Sequence, residues 1–225
     1  VLYGQPVLPF LLGLMLFGYA FGKYGLTERI AFTVLSVPGI ATSGNRLILG
    51  IIISAAILSM FVDDVAAVAI MIPIAVAVSK HAVKVSYKGG TATDAECPRF
   101  MAASALAVLY GASAGGLATP VGVPFNPVTI AILEEVTSYS ISFVQWTMTG
   151  MILMLATIPV YFGVLRFMLP PEVGAISGSQ EYFREQKKQL GPLSKGERNV
   201  LIVLAIMVIM WYLPSIVTID FLNIW

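Results

Sequence analysis

Apolar residues run along this chain in long unbroken blocks, without the short beat of a half-buried strand or a surface helix. Four blocks reach the about 20 mostly apolar residues that a membrane-crossing helix needs: Leu2 to Gly22, Phe100 to Leu133, Phe143 to Leu169 and Val200 to Ile219. A fifth, Leu47 to Ser79, is split by Asp63 and Asp64 into runs of 16 and 15 residues. At ~1.5 Å per residue each run reaches only ~23 Å, short of the ~30 Å hydrocarbon core. This predicts a re-entrant helical hairpin with the Asp pair at its tip. Thr27 to Ile40, moderately apolar but holding Glu28, Arg29 and Pro38, reads as an interfacial helix. Glu172 to Arg198 reads as a polar linker with a short amphipathic helix over the charged run Glu181 to Gln189.

The basic residues test this layout independently, because lysine and arginine collect on the cytoplasmic side of short loops. Lys23, Arg29 and Arg46 precede the hairpin. Lys80, Lys84, Lys88 and Arg99 follow it, and Arg166, Arg184, Lys187, Lys188, Lys195 and Arg198 surround the later linker. These are all 13 of the basic residues, and the connection from Glu134 to Ser142 has none. The alternation works if Leu47 to Ser79 enters and leaves on one face. Two complete short spans would give the same parity, so charge excludes one long helix and leaves that choice open.

Composition narrows the function classes. At 58% hydrophobic and 11% charged, the 225-residue chain is too apolar for a water-soluble globule. A net charge of +1 without a single basic patch argues against nucleic-acid binding. Cys97 has no second cysteine to pair with. No His, Cys or Ser constellation has catalytic spacing, so an enzyme is not expected and neither is a cofactor. With no initiator Met, Val1 is expected to follow further residues.

Two elements can carry chemistry. An ionised carboxylate in the bilayer costs at least ~2.5 kcal/mol, and two adjacent ones repel, so Asp63 and Asp64 call for a bound cation, a shared proton or water. The functional reading is Na⁺ or H⁺ binding at the tip; the bland one is a solvated turn with Asp64 capping the following helix. The second element is Tyr110 to Pro127, where Pro120, Pro124 and Pro127 remove backbone donors and Gly115, Gly116 and Gly122 permit turns and close approach. A continuous helix is not expected there. Broken backbone at membrane depth survives where protein or a water-filled cavity satisfies it, and secondary transporters place substrates at such breaks. Glu134 and Glu135 read as surface charges, His81 as a solvated loop residue, Pro159 as a helix kink, and Trp146, Trp211, Tyr212 and Trp225 as interfacial aromatics.

The hairpin sequence Leu58-Ser-Met-Phe-Val-Asp-Asp-Val-Ala-Ala-Val-Ala-Ile-Met-Ile-Pro-Ile-Ala75, followed by Gly115-Gly-Leu-Ala-Thr-Pro-Val-Gly-Val-Pro-Phe-Asn126, resembles the divalent anion:sodium symporter family. The resemblance runs over nearly the whole chain, including Leu169-Pro-Pro-Glu172 and Gly191-Pro-Leu-Ser194. It implies an all-α membrane protein: a polytopic helical bundle with a re-entrant hairpin and a broken transmembrane helix, one half of an inverted-repeat transporter. Residues 1–46 would be the first span and interfacial helix of a scaffold, 47–79 the hairpin and 80–99 a cytoplasmic loop. Residues 100–169 would be the broken helix and next span, 170–198 a cytoplasmic linker, and 199–225 the span that begins the second repeat. The implied activity is cation-coupled (Na⁺ or H⁺) secondary transport of small anions, di- or tricarboxylates or sulfate, across the cell membrane by a homodimer. The alternatives are an ion antiporter or permease for another solute on the same scaffold, or a non-transporting half-transporter.

Carried over position by position, the resemblance places cation binding, taken as Na⁺, at Ser59, Asp63, Asp64 and Gly122, and substrate contacts at Asp64, Val65, Thr119, Pro120, Val123 and Asn126. This chain departs from the family pattern where it matters. Asp63 and Asp64 stand where the family has Ser and Asn, Val65 where it has Thr, Val123 where it has Ser or Thr, and Phe125 where it has Pro. The hydroxyl and amide donors that face the carboxylate substrate in that family are thereby lost at three positions, Asp64, Val65 and Val123.

Overall fold

A computed structural model describes residues 7–86, 97–176 and 178–216. It contains α1 (Val7–Lys23), α2 (Leu26–Leu35), α3 (Gly44–Ser59), α4 (Asp64–Ser86), α5 (Pro98–Ala118), α6 (Phe125–Thr137), α7 (Phe143–Met168), α8 (Ser179–Gln189) and α9 (Lys195–Ile216). Among the described residues β pairing is limited to an isolated bridge between Ser43 and Ala175. The chain is thus an all-α polytopic membrane protein, with α4, α5, α7 and α9 long and apolar enough to cross a bilayer. Trp225, the stretch 217–219 of the last apolar block, and 87–96 of the expected cytoplasmic loop lie outside the described residues.

Helix ends follow local chemistry. Ser142 and Gln145 form a reciprocal capping box at the start of α7, with bonds of 3.2 and 2.9 Å. Ser194 and Glu197 do the same for α9 at 3.1 and 2.7 Å, satisfying donors that a first turn otherwise leaves orphaned. The cap of α5 comes from far along the chain: Glu172 accepts from the peptide N–H of Arg99 (3.2 Å) and Phe100 (2.8 Å).

Those caps help tie the basic ends of the helices together. Arg29 of α2 pairs with Glu197 at 2.6 Å and donates to the Gly191 and Leu190 carbonyls. Gly44, opening α3, donates to the Gly174 carbonyl. His81, near the end of α4, stacks on Tyr182 of α8 with ring centroids 3.5 Å apart. The start of α3 and the end of α4 therefore meet one segment, 174–182, at the same end of the bundle, as the basic-residue alternation requires.

The helices also depart from the sequence reading. The hairpin arms are unequal: α3 has 16 residues, whereas α4 has 23 and continues past Ser79 to Ser86, ~35 Å of helix. The shortness argument for re-entry thus holds for α3 alone. His81 is not a solvated loop residue, because α4 continues through it and its ring finds an aromatic partner. Pro159 lies within α7, at the position where the expected kink would fall. Trp211 and Tyr212 pack on Phe143, at 5.0 and 5.3 Å between centroids. Glu134 and Glu135 are exposed at the end of α6, as expected.

At the centre, α5 packs against α3, α4 and α7. Lipid tails are as apolar as leucine, so helices in a bilayer associate through close packing, and small residues at the interface allow it. Gly111 and Gly115 of α5 face the carbonyls of Ile52 and Ala56 on α3, while the buried alanines 55, 103, 107 and 112 belong to the main core.

Candidate functional site

Between α5 and α6 the helix is interrupted over residues 119–124. The break is shorter than the stretch Tyr110 to Pro127 suggests. Gly115 and Gly116 remain helical because they serve close packing, and Pro127 lies in the first turn of α6, where no intrahelical donor is needed.

The tip of the α3–α4 hairpin docks onto this break. The peptide N–H of Asp64 donates to the Gly122 carbonyl at 3.0 Å, and the Thr119 hydroxyl donates to the Met60 carbonyl at 2.6 Å. A Cβ on Gly122 would stand 2.6 Å from the Ser59 carbonyl oxygen and 2.7 Å from the Gly116 Cα. Only glycine fits there. Asn126 completes the seam: its buried side-chain amide donates to the Gly116 and Thr119 carbonyls, both at 2.8 Å, acceptors left free where the helix ends.

The Asp pair divides its work. Asp63, not Asp64, caps α4, with Oδ2 accepting from the Ala66 peptide at 3.2 Å. Its Oδ1 and the Oγ of Ser59 are buried and have no hydrogen-bond donor among the described residues. A buried polar atom left unpaired costs about 1–3 kcal/mol, whereas a cation would use both oxygens as ligands. No basic side chain pairs with either carboxylate among the described residues. The Asp64 side chain lines a shallow groove of about 180 Å³ with Val65, Val68, Leu109, Ala112 and Ser113.

The structure thus brings Ser59, Asp63, Asp64, Gly122, Thr119 and Asn126 to one seam between tip and break. Pro120 is buried in the break, Val123 is half-buried beside Gly116, and Val65 is 71% exposed on the groove side. Thr119 and Asn126 spend their donors on backbone carbonyls, so in this arrangement they hold the break in place. Sequence reasoning missed Met60, whose carbonyl anchors Thr119, and Ser113. Leu109, Ala112 and Ser113 follow the i, i+3, i+4 spacing of a single helix face, a signal hidden inside the glycine-rich stretch.

Asn126→Leu should leave the Gly116 carbonyl unpaired in the seam and the Thr119 carbonyl with only the 3.3 Å bond from the Gly122 peptide. We expect destabilisation of about 2 kcal/mol or more, measured as earlier thermal unfolding in detergent. Unchanged unfolding would show that water satisfies those carbonyls as well as the amide does.

The sequence matches the citrate transporter family over residues 2–223. Its curated relatives include a sodium-dependent dicarboxylate transporter of Staphylococcus saprophyticus, 30% identical over 212 residues, covering 93% of this chain and 40% of that protein. Another, of Staphylococcus aureus (strain USA300), is 27% identical over 210 residues, with 93% and 40% covered. The chain therefore spans about 40% of the length of these relatives. The family match over nearly its full length agrees with the resemblance carried by the hairpin and the helix break: this chain belongs to the citrate transporter family.

Proposed function

We propose that this chain forms part of a sodium-coupled secondary transporter of small carboxylate anions, working in the cell membrane as a homodimer when full length. The observation that carries the reading is the docking of the tip onto the break, Asp64 N–H to Gly122 carbonyl at 3.0 Å, beside the two unpaired buried oxygens of Ser59 and Asp63. Half-broken backbone at membrane depth with free oxygen ligands suits a cation bound between the hairpin and the broken helix. The relatives are named for sodium and dicarboxylates, which supports Na⁺ over H⁺ as coupling ion and di- or tricarboxylates over sulfate as cargo.

In this mechanism Ser59, Asp63 and the Gly122 region hold the coupling cation. Its charge offsets the Asp pair, and an anion can then approach Asp64, Val65 and Val123 without facing bare carboxylates. Thr119, Pro120 and Asn126 keep the break open toward that anion. The hairpin enters and leaves on the cytoplasmic face without crossing, since its tip meets a break flanked by apolar helix on both sides.

The test is uptake of labelled succinate and citrate by the full-length protein in proteoliposomes. Uptake should require an inward Na⁺ gradient, with K⁺ unable to replace it. Uptake that is equal without sodium would remove sodium coupling, and no uptake of either acid would remove the carboxylate reading.

A further inference from the structure

We propose that the exposed basic flank of α8, together with Lys23, Lys195 and Arg198, is a docking surface for the headgroups of anionic phospholipids. It lies at the base of the hairpin, away from the seam, and does not depend on the transport reading. Arg184, Lys187 and Lys188 follow i, i+3, i+4 spacing and so share one flank of α8. All three are exposed. The apolar face of that helix is already spent, because Phe183 is fully buried beside Phe32 of α2 and Tyr182 stacks on His81 of α4. With no apolar face left to sink into a bilayer, α8 turns charge outward.

The fold gathers cations that the sequence scatters. Gly196, in the first turn of α9, lies so close to the Tyr24 ring that an added Cβ would overlap it, which sets Lys195 at the level of Lys23, the last residue of α1. Both helices are apolar, and α9 is long enough to cross a bilayer, so their basic ends mark the boundary between hydrocarbon and water. None of these six cations makes an ion pair among the described residues. Acids do not balance them: Glu197 is spent on Arg29, leaving Glu28 of α2 and Glu181 and Glu185 on the adjoining stripe of α8. Clustered lysines and arginines at the basic end of a span attract anionic headgroups. A membrane surface presents many phosphates to such a cluster at once, which a single soluble phosphate cannot do.

The test titrates acyl-labelled phosphatidylglycerol into the full-length protein held in neutral detergent micelles. Wild type should bind it, and the triple variant Arg184→Gln, Lys187→Gln, Lys188→Gln should need about tenfold more lipid for half-saturation. Added salt should weaken wild-type binding, because exposed charges are screened. Labelled phosphatidylcholine should not bind, and soluble glycerol phosphate should not displace the bound lipid. Glu181→Gln with Glu185→Gln should tighten binding by about threefold, a gain that damage to the fold does not produce. Equal binding of phosphatidylglycerol by wild type and the triple variant overturns the proposal. Equal binding of phosphatidylcholine does so as well, and so does displacement by glycerol phosphate, which would make the surface a site for free phosphate. If the triple variant fails to fold, the glutamate pair decides: tighter binding supports the headgroup surface and unchanged binding sinks it.

Discussion

Gly115→Val is expected to abolish a stable fold, or to lower stability by about 3 kcal/mol, whereas Gly163→Val should be neutral. A Cβ at Gly115 lands on the backbone carbonyl of Ala56 in α3, while one at Gly163 meets nothing within 4 Å. A clash with the end of a flexible side chain can be relieved by a rotamer change. Here the obstacle is backbone inside the most intimate helix contact of the bundle, so α3 and α5 must separate. Bilayer helices rely on close packing for their association, and nothing replaces what is lost. The seam would open too, because α3 carries Ser59 and α5 leads into the break. The measurement is the monodisperse fraction and the unfolding temperature in detergent for both variants. A Gly115→Val protein as stable as wild type would show that α3 and α5 do not meet along this face.

Asp63→Ala is expected to reduce apparent sodium affinity by about 10–100-fold while costing only about 1 kcal/mol of stability from the lost cap. Both consequences come from one side chain: Oδ2 holds the first turn of α4 and Oδ1 is the unpaired buried acceptor. Asp63→Ser separates them, because a serine caps nearly as well but brings no charge. Paired with Asp64→Asn it installs the side chains that the resembling family carries at the tip. That double variant should remain folded, since it removes two charges from an apolar setting, and should still transport. Its uptake should depend on pH less steeply than the wild type, because protons can compete with sodium only where a carboxylate accepts them. Uptake measured under separately imposed sodium and proton gradients reads this directly. Equal insensitivity to pH in both proteins would mean that the Asp pair is not where the cation is coupled.

Much of the architecture is written in the chain itself. Long apolar blocks, the gathering of lysines and arginines into alternate segments between those blocks, and prolines 120 and 124 after a run of small residues act through neighbours in sequence, by hydropathy, charge and missing donors. They therefore identify the number and order of the helices and the place of the break without reference to the fold. The seam is another matter. That Gly115 packs where it was expected to turn, that Asn126 bonds two carbonyls, that Glu172 caps a helix that starts over 70 residues earlier and that Ser113 and Asp64 line one groove all depend on which surfaces meet. A carbonyl, a hydroxyl or a glycine has no fixed role along the chain. Its role is set by the group that tertiary packing places opposite, and by whether that group leaves it paired, crowded or, like the Ser59 and Asp63 oxygens, free to take a cation.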